Sequence, residues 1–474
     1  MRMDTPIVSM LDRVSKETRL RFCMPGHKGK KGFLSDTVNA QDITELPGAD
    51  NLYCPQGVIR EAQQLHAKYI GARESWFLVN GSTCGVQASV LSALEPGDTV
   101  IVARDIHLSA VHAFIMADVK PVFVYPSAQA ADVPCVVSVQ DMAAAIALHK
   151  KAKAVYLTYP NYYGLCADLN GICAVAHEAG MKVICDAAHA ALFDFSELLP
   201  TAPAQAGCDI WTCSLHKTAG AMNQCAVLSA GEEAELQPEV IQSRVNLLQT
   251  TSPSYLLLAS ADYALGFLRG EEGRIRLTAA IQLVEENMRR IEALGGYRCI
   301  LQDIPKDTGA FDRDVLRLVI DVTDRGVSGF GAARFLQERG IAVETADISN
   351  IVLICTAADT AEDFEALKAA LAEIKGSNYK IRRMLTAGDL KQVFLPQISV
   401  PMRRAFFAER RSVPLEESVG CIAAVPAGVY PPGTPAVLPG QKITEDMVDY
   451  LILLKNRGYS LFGIYRNEIE IACI

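Results

Sequence analysis

Between residues 60 and 240, short apolar runs alternate with stretches of helical periodicity. The runs WFLV (76–79), TVIVA (99–103), PVFVY (121–125), AVYLTY (154–159), KVICD (182–186), IWTCS (210–214) and AVLS (226–229) predict strands. They are too short for helices and rich in β-branched and aromatic residues. QASVLSALEPG, DMAAAIALHKKAKA and ICAVAHEAGM, which lie between them, predict helices. This βαβ rhythm predicts a mostly parallel sheet flanked by helices, with ligands at the carboxyl ends of its strands. Residues 254–294 read as two long helices, YLLLASADYALGFL and IRLTAAIQLVEENMRRIEAL. DVLRLVIDVT, SGFGAARFLQERGIAVE, NIVLICT and FEALKAALAEI then form a β-α-β-α unit, and a break falls near GSNYK. The proline-dense VPAGVYPPGTPAVLPGQ, framed by apolar residues, reads as an ordered loop before the helix TEDMVDYLILLKNRG. The expected organisation is an amino-terminal arm (1–50), a large α/β domain (51–295), a small α/β domain (296–378) and a carboxyl-terminal domain (379–474).

Composition narrows the class. The 474 residues are half hydrophobic and carry a formal charge of −9, so no nucleic-acid partner is implied. The first 22 residues lack a continuous apolar core and suggest an amphipathic arm, and no segment has the length to cross a bilayer. Fourteen scattered cysteines, without a Cys-x-x-Cys pair, fit a reducing cytoplasm, and several, such as Cys185, Cys213 and Cys225, read as buried small hydrophobes. No two of the eight histidines have metal spacing, so no metal site is expected. His66, His112, His149 and His177 fall on helical stretches and read as structural; His27, His107, His189 and His216 lie in short motifs beside Gly, Asp or Lys.

Chemistry concentrates at strand ends. SLHKT places Lys217 on the loop leaving IWTCS, and KVICD ends on Asp186, 31 residues earlier. Alone, a lysine after a histidine is an ordinary loop residue. An amine at one strand end and an acid at the next is the pairing that pyridoxal 5'-phosphate needs. The amine takes the aldehyde, and the carboxylate keeps the pyridine nitrogen protonated. NGSTCG (80–85) follows WFLV and opens a helix, where free amides and the Ser82 and Thr83 hydroxyls suit a phosphate. An ordinary N-cap would look the same. RDIHLSA (104–110) places His107 where an imidazole could stack on a planar ring or simply face water.

These stretches share an order with a known family. MPGHKGK (24–30), DITELPGADNLYCPQG (42–57), FLVNGSTCG (77–85), RDIHLSA, DAAHAA (186–191), SLHKT (214–218), QTTSPSYLLLAS (249–260) and RRSVPLEESVG…VYPPGTPAVLPGQKIT (410–444) resemble the bacterial Orn/Lys/Arg decarboxylases. The resemblance runs from about residue 20 to 450. It implies a fold-type I (aspartate aminotransferase-like) pyridoxal-phosphate enzyme, of the short form without an amino-terminal wing domain. The implied activity releases CO₂ and an amine from arginine, lysine or ornithine, in polyamine-related metabolism.

By the same resemblance, Lys217 would hold the cofactor's aldehyde, Asp186 would pair with the pyridine nitrogen and His107 would stack on the ring. Ser82, Thr83, Ser214 and His216 would hold the phosphate, Ala188 would lie against the ring and His189 near its phenolic oxygen. Thr251 and Ser252 would reach the phosphate bound by a neighbouring subunit, which makes a homodimer the minimum unit and leaves larger assemblies open. Either Lys217 or His189 would return a proton to the substrate. Glu416 and Glu417 are the candidates for the substrate's distal cation, although two glutamates opening a helix are also an ordinary first turn. Members of the family have His-Lys-Ser at 107–109 and Asp-Glu-Ala-His at 186–189. This chain has His-Leu-Ser and Asp-Ala-Ala-His, which puts substrate choice in doubt. An aminotransferase or lyase of the same fold type, and a non-catalytic decarboxylase-like regulatory protein, are the alternatives.

Overall fold

The computed structural model describes residues 4–18, 21, 23–25, 27–31, 35–128, 133–304, 307–374, 398–430 and 433–474. The break expected near GSNYK lies outside the described residues. Eight strands come first along the chain. They are β1 (Ala72–Leu78), β2 (Thr99–Ala103), β3 (Lys120–Val124), β4 (Ala154–Thr158), β5 (Leu165–Cys166), β6 (Lys182–Asp186), β7 (Ile210–Ser214) and β8 (Ala226–Gly231). The fold is α/β, with a mostly parallel sheet flanked by helices, and the described chain forms two compact units.

The first unit comprises Met1–Ala93, Lys182–Ala280 and Thr356–Ala358. It holds β1, β8, β7 and β6 in that order, with β6 parallel to β7 and the other pairs antiparallel. The reversal at β8 has a local cause: only a short connection with one four-residue helix, Leu215–Thr218, joins β7 to β8. A parallel return needs a crossover of a dozen residues or more. The arm helix Pro6–Glu17 packs on the helix Tyr255–Arg269, burying Ile7, Met10, Leu11 and Val14, one stripe at helical spacing. Asp262 caps it, accepting bonds from the Ile7 and Val8 amides at 2.8 and 3.2 Å. His66 lies buried in this unit, and burial together with Arg269 pushes its imidazole down to about 3. It is a neutral core histidine, as its helical context suggests.

The second unit comprises Leu94–Met181, Ile281–Cys355 and Asp359–Ile474. Here β4, β2 and β3 pair in parallel, and Val100, Ile101 and Val102 of the central strand are fully buried. The expected β-α-β-α segment forms a four-stranded sheet in which Arg317–Asp321 lies between Asn350–Ile354 and Arg298–Cys299. Its helices Gly329–Gln337 and Ala361–Glu373 start at the caps Ser328 and Thr360. Further along, Ala427–Val429 pairs on one side with Pro435–Val437 and on the other with Leu461–Phe462. The helix Glu445–Asn456 follows its Thr444 cap and packs Met447, Val448 and Leu451 into a core with Val437 and Ile469.

Candidate active site

In the first unit β6 and β7 are in register, Asp186 opposite Thr212, so their carboxyl ends emerge side by side. Asp186 is the last residue of β6, and its side chain is buried. Its Oδ1 accepts the Ala188 amide at 3.2 Å, which folds the DAAHA segment back over the strand end. The Ser214 amide donates to the Ala188 carbonyl at 3.3 Å and ties that segment to the end of β7. This turn delivers His189, buried, to within 3.1 Å of Lys217, Nε2 to Nζ.

Lys217 sits in the short helix Leu215–Thr218, directly after β7. The Leu215 and His216 amides donate to the Cys225 carbonyl at 3.0 and 3.3 Å, and His216 Nδ1 lies 3.0 Å from the same oxygen. The lysine turn is thereby pinned to the start of β8. Beside it, Ser214 Oγ donates to Ser82 Oγ at 2.7 Å. Ser82 belongs to the first turn of the helix Gly81–Ala93, which β1 delivers through Gly81 at φ +72°. That left-handed φ suits glycine. The helix approaches the strands closely at Gly85, where an added Cβ would stand 2.5 Å from Thr212 Cγ2.

The first unit thus brings together Ser82, Asp186, Ala188, His189, Ser214, His216 and Lys217. Thr83, Thr251 and Ser252 belong to it too, but are exposed. Behind the strand ends lies Asp194, unnoticed in the sequence, whose carboxyl burial pushes up to about 7. Burial, then Asp194 and Asp186, hold the Cys213 thiol far above its ordinary range, so this cysteine stays protonated.

A buried carboxylate, a primary amine beside an imidazole, and hydroxyls at a helix amino terminus are the donor set that an aldehyde-bearing pyridine phosphate requires. Thr218 Oγ1, next to Lys217, is buried without a protein partner, a donor left over for a ligand. The residues fit that group. Among the described residues, no three His, Cys, Asp or Glu side chains gather as a metal site, and no helix is long and apolar enough to cross a membrane.

In the second unit, His107 caps the helix Leu108–Ala117, its Nδ1 accepting the Ser109 amide at 3.1 Å. Glu416 and Glu417 are exposed, and Asn467 Nδ2 donates to both Glu416 oxygens at 3.2 Å. Two further acids of this unit are held by tyrosines. Tyr162 donates to Glu344 Oε1 at 2.6 Å, and Tyr163 to Asp347 Oδ2 at 2.5 Å. Burial, then Glu344, push the Tyr162 hydroxyl well up, with Tyr430 close enough to add to the shift. Nothing local marks Glu344, which stands 182 residues from Tyr162 and ends an ordinary apolar run. In the arm motif MPGHKG, His27 Nε2 lies 3.2 Å from Asp42 Oδ2.

Fold and site together define a fold-type I frame with a lysine and an aspartate at adjacent strand ends. Residues 5–310 match the Orn/Lys/Arg decarboxylase major domain and residues 382–470 match the carboxyl-terminal domain of the same family. The chain belongs to the Orn/Lys/Arg decarboxylase family. An arginine decarboxylase of Halalkalibacterium halodurans is 32% identical over 94% of this chain and 92% of its own length. One from Bacillus subtilis is 31% identical over 97% of this chain and 95% of its own length. The solved lysine decarboxylase A of Pseudomonas aeruginosa superposes with a TM-score of 0.85 at 18% identity, covering 98% of this chain and 80% of that one.

Proposed function

We propose that this chain uses pyridoxal 5'-phosphate to remove the α-carboxylate of a basic amino acid, giving CO₂ and the amine. The observation that carries the reading is the 3.1 Å approach of Lys217 Nζ to His189 Nε2 beside buried Asp186, with the Ser82–Ser214 pair at a helix amino terminus. When bound, the cofactor supplies an electrophilic aldehyde and a protonated ring that takes up the electrons left as CO₂ departs. Lys217 would hold the aldehyde, and Asp186 would accept the ring N–H and keep that proton in place. Ala188 would lie against the ring and His107 would stack on it. Ser82, Thr83, Ser214 and His216 would grip the phosphate, helped by the helix amides. The 3.1 Å separation of His189 Nε2 and Lys217 Nζ supports proton exchange between them, so either group would return the proton to the substrate Cα.

Exposed Thr251 and Ser252 suit contacts with a second copy, supporting a homodimer with shared sites. Fourteen free thiols support a cytoplasmic setting, and the amine product suits polyamine metabolism.

A cationic side chain needs a carboxylate at its far end. Glu416 and Glu417 are the choices made from sequence. Glu344 is a further candidate, because Tyr162 orients it and Tyr430, which acts on Tyr162, lies beside Gly433, a neighbour of His107. Arginine is the first substrate to try, since the relatives about 32% identical are named arginine decarboxylase.

The test is CO₂ and amine release from arginine, lysine and ornithine by the purified protein with added pyridoxal phosphate. Release from at least one, arginine first, is the expected result. Keto acid in place of amine would point to a transaminase, and cofactor binding without turnover to a non-catalytic relative.

A further inference from the structure

In the second unit, Gly433 lies close to the residue assigned to the cofactor ring. The strands Ala427–Val429 and Pro435–Val437 pair as a hairpin, Ala427 opposite Val437 and Gly428 opposite Pro435. Three restraints join that hairpin to the segment leaving β2. Arg104, buried, donates from Nη2 to the Pro435 and Ala436 carbonyls at 2.7 and 3.3 Å, and its guanidinium sits 5.4 Å from the centre of the Phe123 ring. The Leu108 amide donates to the Gly433 carbonyl at 3.0 Å. The third restraint falls on His107 itself. A Cβ at Gly433, whose φ is +88°, would stand 3.1 Å from His107 Nε2 and 3.2 Å from Cδ2.

Both edges of the imidazole are therefore constrained. Nδ1 lies 3.1 Å from the Ser109 amide and 2.8 Å from its hydroxyl, while the Nε2–Cδ2 edge faces Gly433. Glycine at this place serves two needs. It adopts the left-handed backbone, and it leaves the space that the imidazole edge fills. Arg104 holds the two hairpin carbonyls with a charge-assisted bond inside a desolvated site, where such a bond is strongest.

We propose that Gly433 and Arg104 are positioning residues for His107. The hairpin fixes the plane of the imidazole, and Arg104 locks the hairpin to the strand that delivers it. The inference rests on the ring-stacking role proposed for His107 and deepens it by making the carboxyl-terminal segment part of cofactor positioning.

The test is a double-mutant cycle on the holoenzyme with G433A, H107A and the pair. Readouts are kcat and KM, the circular dichroism of the bound cofactor, and the affinity of the apoprotein for pyridoxal phosphate. G433A is expected to lower kcat about tenfold to a hundredfold with KM little changed, the scale of a reacting group displaced by about 1 Å. It should also weaken the dichroic band, and in the H107A background it should add nothing. If G433A does not fold, R104K enters the same cycle, keeping the charge while losing the two-carbonyl grip. Losses that multiply in the double variant, or a silent G433A beside a damaging H107A, overturn the positioning role alone. A silent H107A overturns the His107 reading and the proposal with it.

Discussion

At the residue scale, burial sets the protonation of one carboxyl beside the strand ends: it lifts Asp194 to about 7. A carboxyl whose pKa is higher folded than unfolded stabilises the fold at low pH. That contribution disappears as pH climbs from the ordinary range near 4 through about 7. Asp194→Asn is neutral at every pH. Its stability should match the wild type near pH 4 and exceed it by about 2 kcal/mol at pH 8, roughly half the full linkage value because the residue keeps some solvent contact. Denaturant unfolding across this range measures it, and a difference that stays flat would exclude a buried protonated carboxyl. Asp186 and Lys217 were legible in the sequence because each stands at the end of a short apolar strand. Asp194 was not, since its character comes from its surroundings and not from its neighbours in the chain.

At the element scale, the phosphate-facing turn depends on how closely the helix Gly81–Ala93 sits against β7. Gly85 sets that distance: a Cβ there would lie 2.5 Å from Thr212 Cγ2 and 2.8 Å from Leu78 Cδ1. Gly85→Ala should destabilise the protein by about 1–3 kcal/mol through overpacking. It should also weaken pyridoxal phosphate binding, because the Ser82–Ser214 pair separates. Thr212→Ala removes the two nearest colliding atoms, Cγ2 and the unpartnered Oγ1, and leaves Leu78 Cδ1. The double variant should recover part of both losses. Thermal melting and cofactor titration would measure these effects, and a double variant no better than Gly85→Ala would contradict this packing account. The glycine-bearing turn NGSTCG was readable as a helix start, but the need for Gly85 was not. It arises from a strand that lies 127 residues further along the chain. The antiparallel return of β8 was hidden for a related reason: apolar runs give a strand's existence, while direction follows from the length of the connection.

At the scale of the whole molecule, the family's sequence motifs fall on both compact units, so the resemblance tracks the full chain and not one local pattern. Lys217, Asp186, His189 and Ser214 are gathered by the first unit at the ends of the consecutive strands β6 and β7, whereas Thr251 and Ser252 stand exposed. If those two serve a second copy, subunits can complement one another. Mixing a Lys217→Ala subunit with a Thr251→Ala/Ser252→Ala subunit after dissociation should restore about a quarter of wild-type turnover, the statistical share of intact sites in a dimer. No recovery from the mixture, with mixed dimers demonstrated, would show that each subunit builds its site alone. The contact of Gly433 with His107 had no counterpart in the sequence reading, because it joins segments more than 300 residues apart.

The claim beneath all of this is that Lys217 holds the cofactor. Borohydride reduction of the purified, cofactor-loaded protein, followed by proteolysis and mass spectrometry, tests it directly. The expected result is a pyridoxyl group on the peptide containing Lys217, and no such adduct in Lys217→Ala. An unmodified Lys217 peptide, or the label on another lysine, would contradict the assignment.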